Sequence, residues 1–327
     1  MNPAFSVIFF TVVSGSGYGL WFLLGLGLAL DPHIVGRNEA LTVLVVGAVF
    51  VAAGLLASTL HLGQPQRAWR AFSQWRSSWL SREGVASVCS FVPALALAFS
   101  LWRGDAANGL RWLGAALAVL AIVTVCCTAK IYTSLKTIHA WHNRYVLPGY
   151  LLLGLLGGAA WLLALHTFFE EPQHVSALHA LLCWLVIATG LLGYGWKRAY
   201  WHFIDTTRHP ASVESATGLG RFGAVRSVEA PHTEENYLTR EMGFALARKH
   251  AQRLRGVCLI LLGPLTVVLA FAALASFGHS HALASTSAIA AAFAASAGLF
   301  VERWLFFAEG KHVVMLYYGA GALPHSP

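Results

Sequence analysis

Eight apolar runs, each about twenty residues long, leave this chain very few ways to fold. They cover approximately 5–30, 41–60, 84–102, 111–130, 145–168, 176–199, 254–276 and 283–307. A helix rises 1.5 Å per residue, so about twenty residues cross a hydrocarbon core of roughly 30 Å. Backbone amides in lipid must find partners within their own segment, which selects helices over open strands. Only 11% of the 327 residues are charged and 57% are hydrophobic, whereas ordinary soluble domains carry roughly 25% charge. The sequence therefore predicts an all-α fold, a polytopic membrane helical bundle with eight transmembrane helices. Residues 1–327 are read as one integral-membrane domain, with a cytoplasmic docking loop at about 200–253. No charge precedes Asp31, so the first run lacks the basic start of a secretory signal and is read as an uncleaved span.

Basic residues set the expected orientation. Of the 22 Lys and Arg, all but Arg37, Arg103 and Arg111 fall on the side that holds both termini, 61–83, 131–144 and 200–253. The positive-inside rule places that side in the cytoplasm, in an inner membrane. This bias already accounts for the net charge of +8, so nucleic acid is not expected as a partner, whereas a protein or anionic lipid is. The connections at 103–110 and 277–282 are too short to hold a catalytic domain on the other face.

The sequence carries no phosphate-binding loop, dinucleotide fingerprint, HExxH or GxSxG pattern. Cys89, Cys126, Cys127, Cys183 and Cys258 lie inside apolar runs without ligand-like spacing, so no metal is expected here. His61, His139, His142, His166, His179 and His202 lie near span ends and are read as hydrogen-bonding at headgroup level. Haem b is disfavoured, because two axial imidazoles would have to face each other inside the spans. Span one carries Gly15, Gly17 and Gly19 between Ser14, Ser16 and Tyr18. These small residues allow either close helix packing or a gap for a flat apolar ligand beside Tyr18 and Trp21. At the end of span eight, Glu302, Arg303, Trp304, Phe306, Phe307 and Glu309 read as an interfacial belt.

The stretch from His61 to Glu83, HLGQPQRAWRAFSQWRSSWLSRE, holds the densest chemistry. His61 ends a span, Gly63 allows close approach and Pro65 stops helical hydrogen bonding. The imidazole is thus held at the hydrocarbon boundary, either as a ligand for a quinone or as an interfacial cap. A histidine titrating near neutrality can take the proton that quinone chemistry requires. Glu83 either relays that proton or pairs with an arginine. Arg67, Trp69, Arg70 and Arg82 form a basic aromatic edge suited to headgroups or to a docking protein.

HLGQPQRAWRAF followed by SSWLSREG resembles the second connection of the dimethyl sulfoxide reductase membrane-anchor family, with its LGxPxRA and SxLSRE patterns. The resemblance implies a three-part complex. A molybdenum-bis(pyranopterin guanine dinucleotide) catalytic subunit is linked through a ferredoxin-like four-cluster iron–sulfur subunit to an anchor that meets the quinone pool, ubiquinone or menaquinone. By resemblance, His61 corresponds to a histidine linked to quinol binding. Gly63, Pro65, Arg67 and Ala68 complete the first motif, and Ser81, Arg82 and Glu83 match the second. Gly63, Pro65 and Ser81 are expected to scaffold the site. The cytoplasmic basic face is similar to the sulfite-oxidising branch, the alternative being an S-oxide or N-oxide reductase running in reverse. A transporter or a stand-alone haem protein explains fewer of these features.

Overall fold

The computed structural model describes residues 4–60, 64–104, 107–170, 176–207, 211–225, 228 and 246–317. Among them, eight helices are long and apolar enough to cross a membrane. They are α1 (Phe5–Leu30), α2 (Arg37–Thr59), α3 (Trp79–Arg103), α4 (Ala107–Thr133), α5 (Val146–His166) and α6 (Ala177–Thr206). The seventh, α7, runs through Leu246–Ile260, a π-helical turn at Leu261–Leu265 and Thr266–Ser276, and α8 is His281–Ala308. The expected count and helical class both hold.

The helices form two sets of four. In the first, α1 packs on α2 and α4, and α3 packs on α4; in the second, α5 packs on α6 and α8, and α7 packs on α6 and α8. The sets meet where α1 lies against α5. Glycine makes this seam possible. A Cβ on Gly19 would stand 2.1 Å from the carbonyl oxygen of Gly154, and one on Gly158 would stand 2.3 Å from the Gly19 carbonyl carbon. In lipid, helices gain little from hydrophobic burial against one another, so such close backbone approach supplies the packing instead.

Local chemistry fixes the helix ends. Ser78 caps α3 by accepting from Ser81 N, Ser176 caps α6 by accepting from His179 N, and Ser280 caps α8 by accepting from Leu283 N. Such a cap satisfies one of the orphan amides of the first turn. In α7, Pro264 lacks an amide proton and the helix widens around it. The Thr266 hydroxyl donates to the Leu261 carbonyl at 2.6 Å there.

Four sequence expectations change. Residues 79–83 belong to α3 instead of a connecting loop, so Ser81 and Glu83 lie buried at the start of a span. The excursion read at 200–253 is shorter, because α6 continues to Thr206 and α7 begins at Leu246; its described part holds single helical turns at Val213–Thr217 and Leu219–Phe222. Finally, Glu302, Arg303 and Phe306 are not interfacial. They are 1%, 5% and 2% exposed inside the bundle, where Lys197 of α6 pairs with Glu302 and the Tyr150 ring of α5 packs against Arg303 and Phe306. His166 and His179 are likewise buried at their helix ends, where they stand against Glu39 and Glu170.

Candidate functional site

A groove of about 360 Å³ opens toward the lipid between α1, α4 and α5. Its walls are apolar, including Phe22, Ile122, Val125, Leu151 and Leu155, and Gly15 and Tyr18 stand at its inner end. Volumes of roughly 300–1,000 Å³ are usual for small-molecule sites. A second, smaller cavity, a chamber of about 20 Å³, shares Gly15, Tyr18, Val125 and Gly154 with the groove and is lined also by Thr11, Ser14, Thr128, Tyr150 and Arg303. That volume admits roughly one water-sized group.

Two of the span-one glycines serve packing and one serves this space. A Cβ at Gly17 would collide with Phe50 and Val51, and one at Gly19 with Gly154, whereas a Cβ at Gly15 would meet nothing within 4 Å. Trp21 does not face the groove. Its indole donates to the Leu44 carbonyl of α2 at 3.2 Å and is fully buried there.

The chamber is unusual in its unsatisfied polar groups. The hydroxyls of Tyr18 and Tyr150 and Nη1 of Arg303 are buried without a hydrogen-bond partner among the described residues, and all three residues line the chamber. The Tyr18 hydroxyl lies among Ser87, Ser90 and Thr124 without a bond of good geometry. Leaving a buried donor unpaired costs about 1–3 kcal/mol, so these residues mark the chamber as a candidate place for a polar ligand atom, with Tyr150 and Arg303 also within each other's reach.

Arg303 is held in place from behind. Its Nε stands 2.6 Å from Glu302 Oε2, and its guanidinium lies 3.9 Å from the Tyr150 ring centroid. Glu302 Oε1 in turn accepts from Lys197 Nζ at 2.7 Å. A second set of charges lies alongside, where Arg255 donates to Glu309 at 2.8 Å and to Asp205 at 2.6 Å, while the Trp201 indole donates to Glu309 at 3.1 Å. Through these contacts α6, α7 and α8 share one polar core at the basic end.

Glu83 lies behind the opposite wall of the chamber. It is 4% exposed, and its Oε1 stands 2.5 Å from the Thr128 hydroxyl, which is also 3.1 Å from the Thr124 carbonyl. One hydroxyl proton serves one acceptor at a time. When Thr128 donates to Thr124, the short contact requires a proton on Glu83; when it donates to Glu83, the carboxylate is satisfied as an anion. The pair can therefore hold Glu83 in either protonation state. None of the ion pairs among the described residues includes Glu83, so the expected partnership with an arginine is not found there.

The other sequence-predicted residues divide between the bundle and its rim. His61 and Gly63 lie outside the described residues. Pro65 starts a 3-10 helix, Pro65–Gln74, on which Arg67, Trp69 and Arg70 are exposed, with Arg70 stacked 5.6 Å above the Trp69 ring. This helix packs on the start of α3. Ser81 is buried on α3, next to the capped first turn. Arg82 is a strut: its guanidinium donates to the carbonyls of Trp75 and Arg76 at 3.0 and 2.7 Å and covers the Trp79 ring at 4.3 Å. It ties the rim to α3. Sequence reading missed Thr128, Tyr150 and Arg303. Arg303 carried the detectable signal, since a charge within an apolar span is by default functional.

The model of the DMSO reductase anchor subunit (DmsC) family matches residues 1–308. The C subunit of Allochromatium vinosum sulfite dehydrogenase is 32% identical over 341 aligned positions, which take in 97% of this chain and 99% of that protein. The anaerobic dimethyl sulfoxide reductase protein YnfH of Escherichia coli is 27% identical, covering 54% of this chain and 64% of its own length. The C polypeptide of the same organism's anaerobic dimethyl sulfoxide reductase is also 27% identical, over 46% and 54%. No solved structure matches. With the family match running from the first residue through the whole of α8, this chain belongs to the DMSO reductase anchor subunit family.

Proposed function

We propose that this chain is the quinone-reactive membrane anchor of a sulfite-oxidising molybdenum enzyme, receiving electrons from an iron–sulfur subunit and delivering them to ubiquinone or menaquinone. The observation that carries the reading is the apolar groove between α1, α4 and α5 beside a small chamber lined by Tyr18, Tyr150 and Arg303, each with a buried polar atom lacking a well-formed hydrogen bond among the described residues. A quinone diffuses in the bilayer, so it needs a lateral apolar slot, a donor for a ring oxygen and a source of protons. The groove meets the first need and the chamber the second. Glu83 meets the third, passing a proton through the Thr128 hydroxyl, with His61 supplying the second proton from the rim.

Near-complete coverage of a sulfite dehydrogenase subunit favours sulfite as the electron donor, since the dimethyl sulfoxide reductase proteins align over only about half of this sequence. Sulfite and water give sulfate, two protons and two electrons in the molybdenum-bearing partner. The electrons cross the ferredoxin-like subunit, and the quinone takes them up with two protons to become quinol. The exposed rim carrying Arg67, Trp69 and Arg70 is the docking edge for that subunit, and the basic face with both termini is cytoplasmic. Anion–lipid contact and subunit docking use the same arginines.

The test is turnover in membranes holding the intact complex. Glu83→Gln keeps the shape and removes the exchangeable charge, so sulfite-dependent quinone reduction should fall by about 10²–10⁴-fold, the range typical of general acid–base groups, while subunit abundance is unchanged. His61→Ala should weaken binding of a quinol analogue in the same membranes. Full turnover in both variants, measured on assembled complex, rejects the site. A matched assay with sulfite and with dimethyl sulfoxide decides the direction.

A further inference from the structure

At the end of the bundle opposite the basic face lies a second group of ionisable side chains, remote from the chamber. His166 closes α5, Glu170 lies in the turn that follows, and His179 sits in the first turn of α6. Their side chains are 6%, 7% and 0% exposed. Glu170 Oε2 stands 3.0 Å from His166 Nε2 and 3.4 Å from His179 Nδ1, and one ligand atom from each of the three lies within 4.8 Å of the others.

Close approach here is not hydrogen bonding. Glu170 Oε2 and His179 Nδ1 are buried without a hydrogen-bond partner among the described residues, so the atoms face one another with no N–H directed at a lone pair. Three ligand atoms this close together, two of them without a hydrogen-bond partner among the described residues, are what a metal ion can use. Ligand atoms ~2.0–2.2 Å from a tetrahedral zinc stand ~3.3–3.6 Å from one another, close to the two separations from Glu170 Oε2.

The surroundings prepare each donor. His166 Nδ1 lies 2.7 Å from Glu39 Oε1; with an Nδ1–H donated to the Glu39 carboxylate, the lone pair stays on Nε2, the atom near Glu170. A carboxylate behind a ligating imidazole is the usual outer-shell support of such sites. His179 Nε2 is turned to Cys183 Sγ at 3.5 Å, which leaves Nδ1 toward Glu170. Glu170 Oε1 accepts from Ser176 N at 2.9 Å, leaving Oε2 directed inward. Charge adds a separate argument. Glu39 and Glu170 are buried carboxylates whose ion-pair partners among the described residues are all histidines. A divalent cation neutralises both and removes the cost of burying them.

We propose that His166, Glu170 and His179 bind a divalent first-row transition metal, zinc by the donor set, with Glu39 as a positioning residue. The Ser176 hydroxyl, 3.5 Å from His166 Nε2, is a nearby oxygen for a further position. The ion would clip the end of α5 to the start of α6, a structural site independent of the quinone reading.

The experiment uses the full-length protein, purified within its complex, stripped with a chelator and reloaded with Zn²⁺ alone or Co²⁺ alone. The expected result is about one equivalent of tightly held metal per anchor, with the visible absorption of four- or five-coordinate cobalt. Glu170→Gln and His179→Ala should abolish that equivalent and the cobalt spectrum, and Glu39→Gln should lower affinity by about 10–100-fold. His202→Ala, an exposed histidine elsewhere, should retain both and so controls for surface binding. Metal content below one-tenth equivalent in the wild-type protein, or a cobalt spectrum unchanged by Glu170→Gln, overturns the proposal. If a variant fails to assemble, X-ray absorption on zinc-loaded wild-type protein decides instead: two imidazoles with a carboxylate oxygen support the site, and oxygen-only ligation rejects it.

Discussion

Gly15→Leu will stop quinone turnover in an anchor that still assembles, while Gly19→Ala, a smaller change four residues on, will damage assembly itself. The contrast follows from what each Cβ meets. At Gly15 there is nothing within 4 Å, so a leucine enters the space beside Tyr18 without displacing the bundle. Gly15 lines both the groove and the chamber, so on the proposed reading the leucine side chain occupies space the quinone ring needs. At least tenfold loss of sulfite-dependent quinone reduction is expected, with normal subunit abundance; a difference of one factor of ten corresponds to about 1.4 kcal/mol of lost binding or barrier lowering. At Gly19 a methyl group would lie 2.1 Å from the Gly154 oxygen, and backbone cannot step aside as a flexible side chain can. Overpacking of well-fitted interfaces costs about 1–3 kcal/mol or more, so Gly19→Ala should lower the thermal midpoint of the detergent-solubilised complex. Unimpaired turnover in Gly15→Leu, with the complex shown intact, would remove the groove as the route of the quinone.

The same three glycines mark the boundary of what the sequence could convey. Small residues in span one permitted close packing or a ligand gap, and the molecule uses both, Gly17 and Gly19 for one and Gly15 for the other. Nothing in local sequence separates them, because the separation is made by Phe50 and Val51 on α2 and Gly154 on α5. The count and class of helices were legible because apolar run length is a property of each segment alone. Helix boundaries were less so. Ser78 ahead of Trp79 and Leu80 was a readable capping signal, and following it would have put Ser81 and Glu83 inside α3 at once.

Charged residues failed for a different reason. Position near the end of an apolar run suggested that Glu302 and Arg303 sat among headgroups, where a lone charge is tolerated. They are instead buried because Lys197, from a different helix, completes the pairing. A charge can enter a bundle only with its partner, and partnership between spans separated by about a hundred residues is not written in either one. Arg82 shows the converse. Its basic character and place at the rim suggested headgroup or docking contacts, and the structure adds a local role, with both its carbonyl acceptors within seven residues.

Glu302→Ala is expected to be the most destabilising single substitution in the bundle. It leaves Lys197 and Arg303, 4% and 5% exposed, without their shared carboxylate, and removing one partner of a buried pair typically costs about 3–5 kcal/mol. The alanine variant should assemble poorly and unfold at lower temperature. In a Lys197→Met background, the same substitution strands only one cation and should cost less, so a double-mutant cycle will return a coupling energy between positions 197 and 302. Additivity of the two substitutions would show that the contact carries no stability. The network also bears on the proposed chamber. Glu302 holds Arg303 at Nε, and Nη1 is left unpaired at the chamber wall. Glu302→Gln, which preserves shape but discards the charge, should therefore weaken binding of a quinol analogue in complexes that remain folded. Unchanged binding there would mean that Arg303 is anchored by its position over Tyr150 alone, and that Lys197 and Glu302 serve the bundle and not the site.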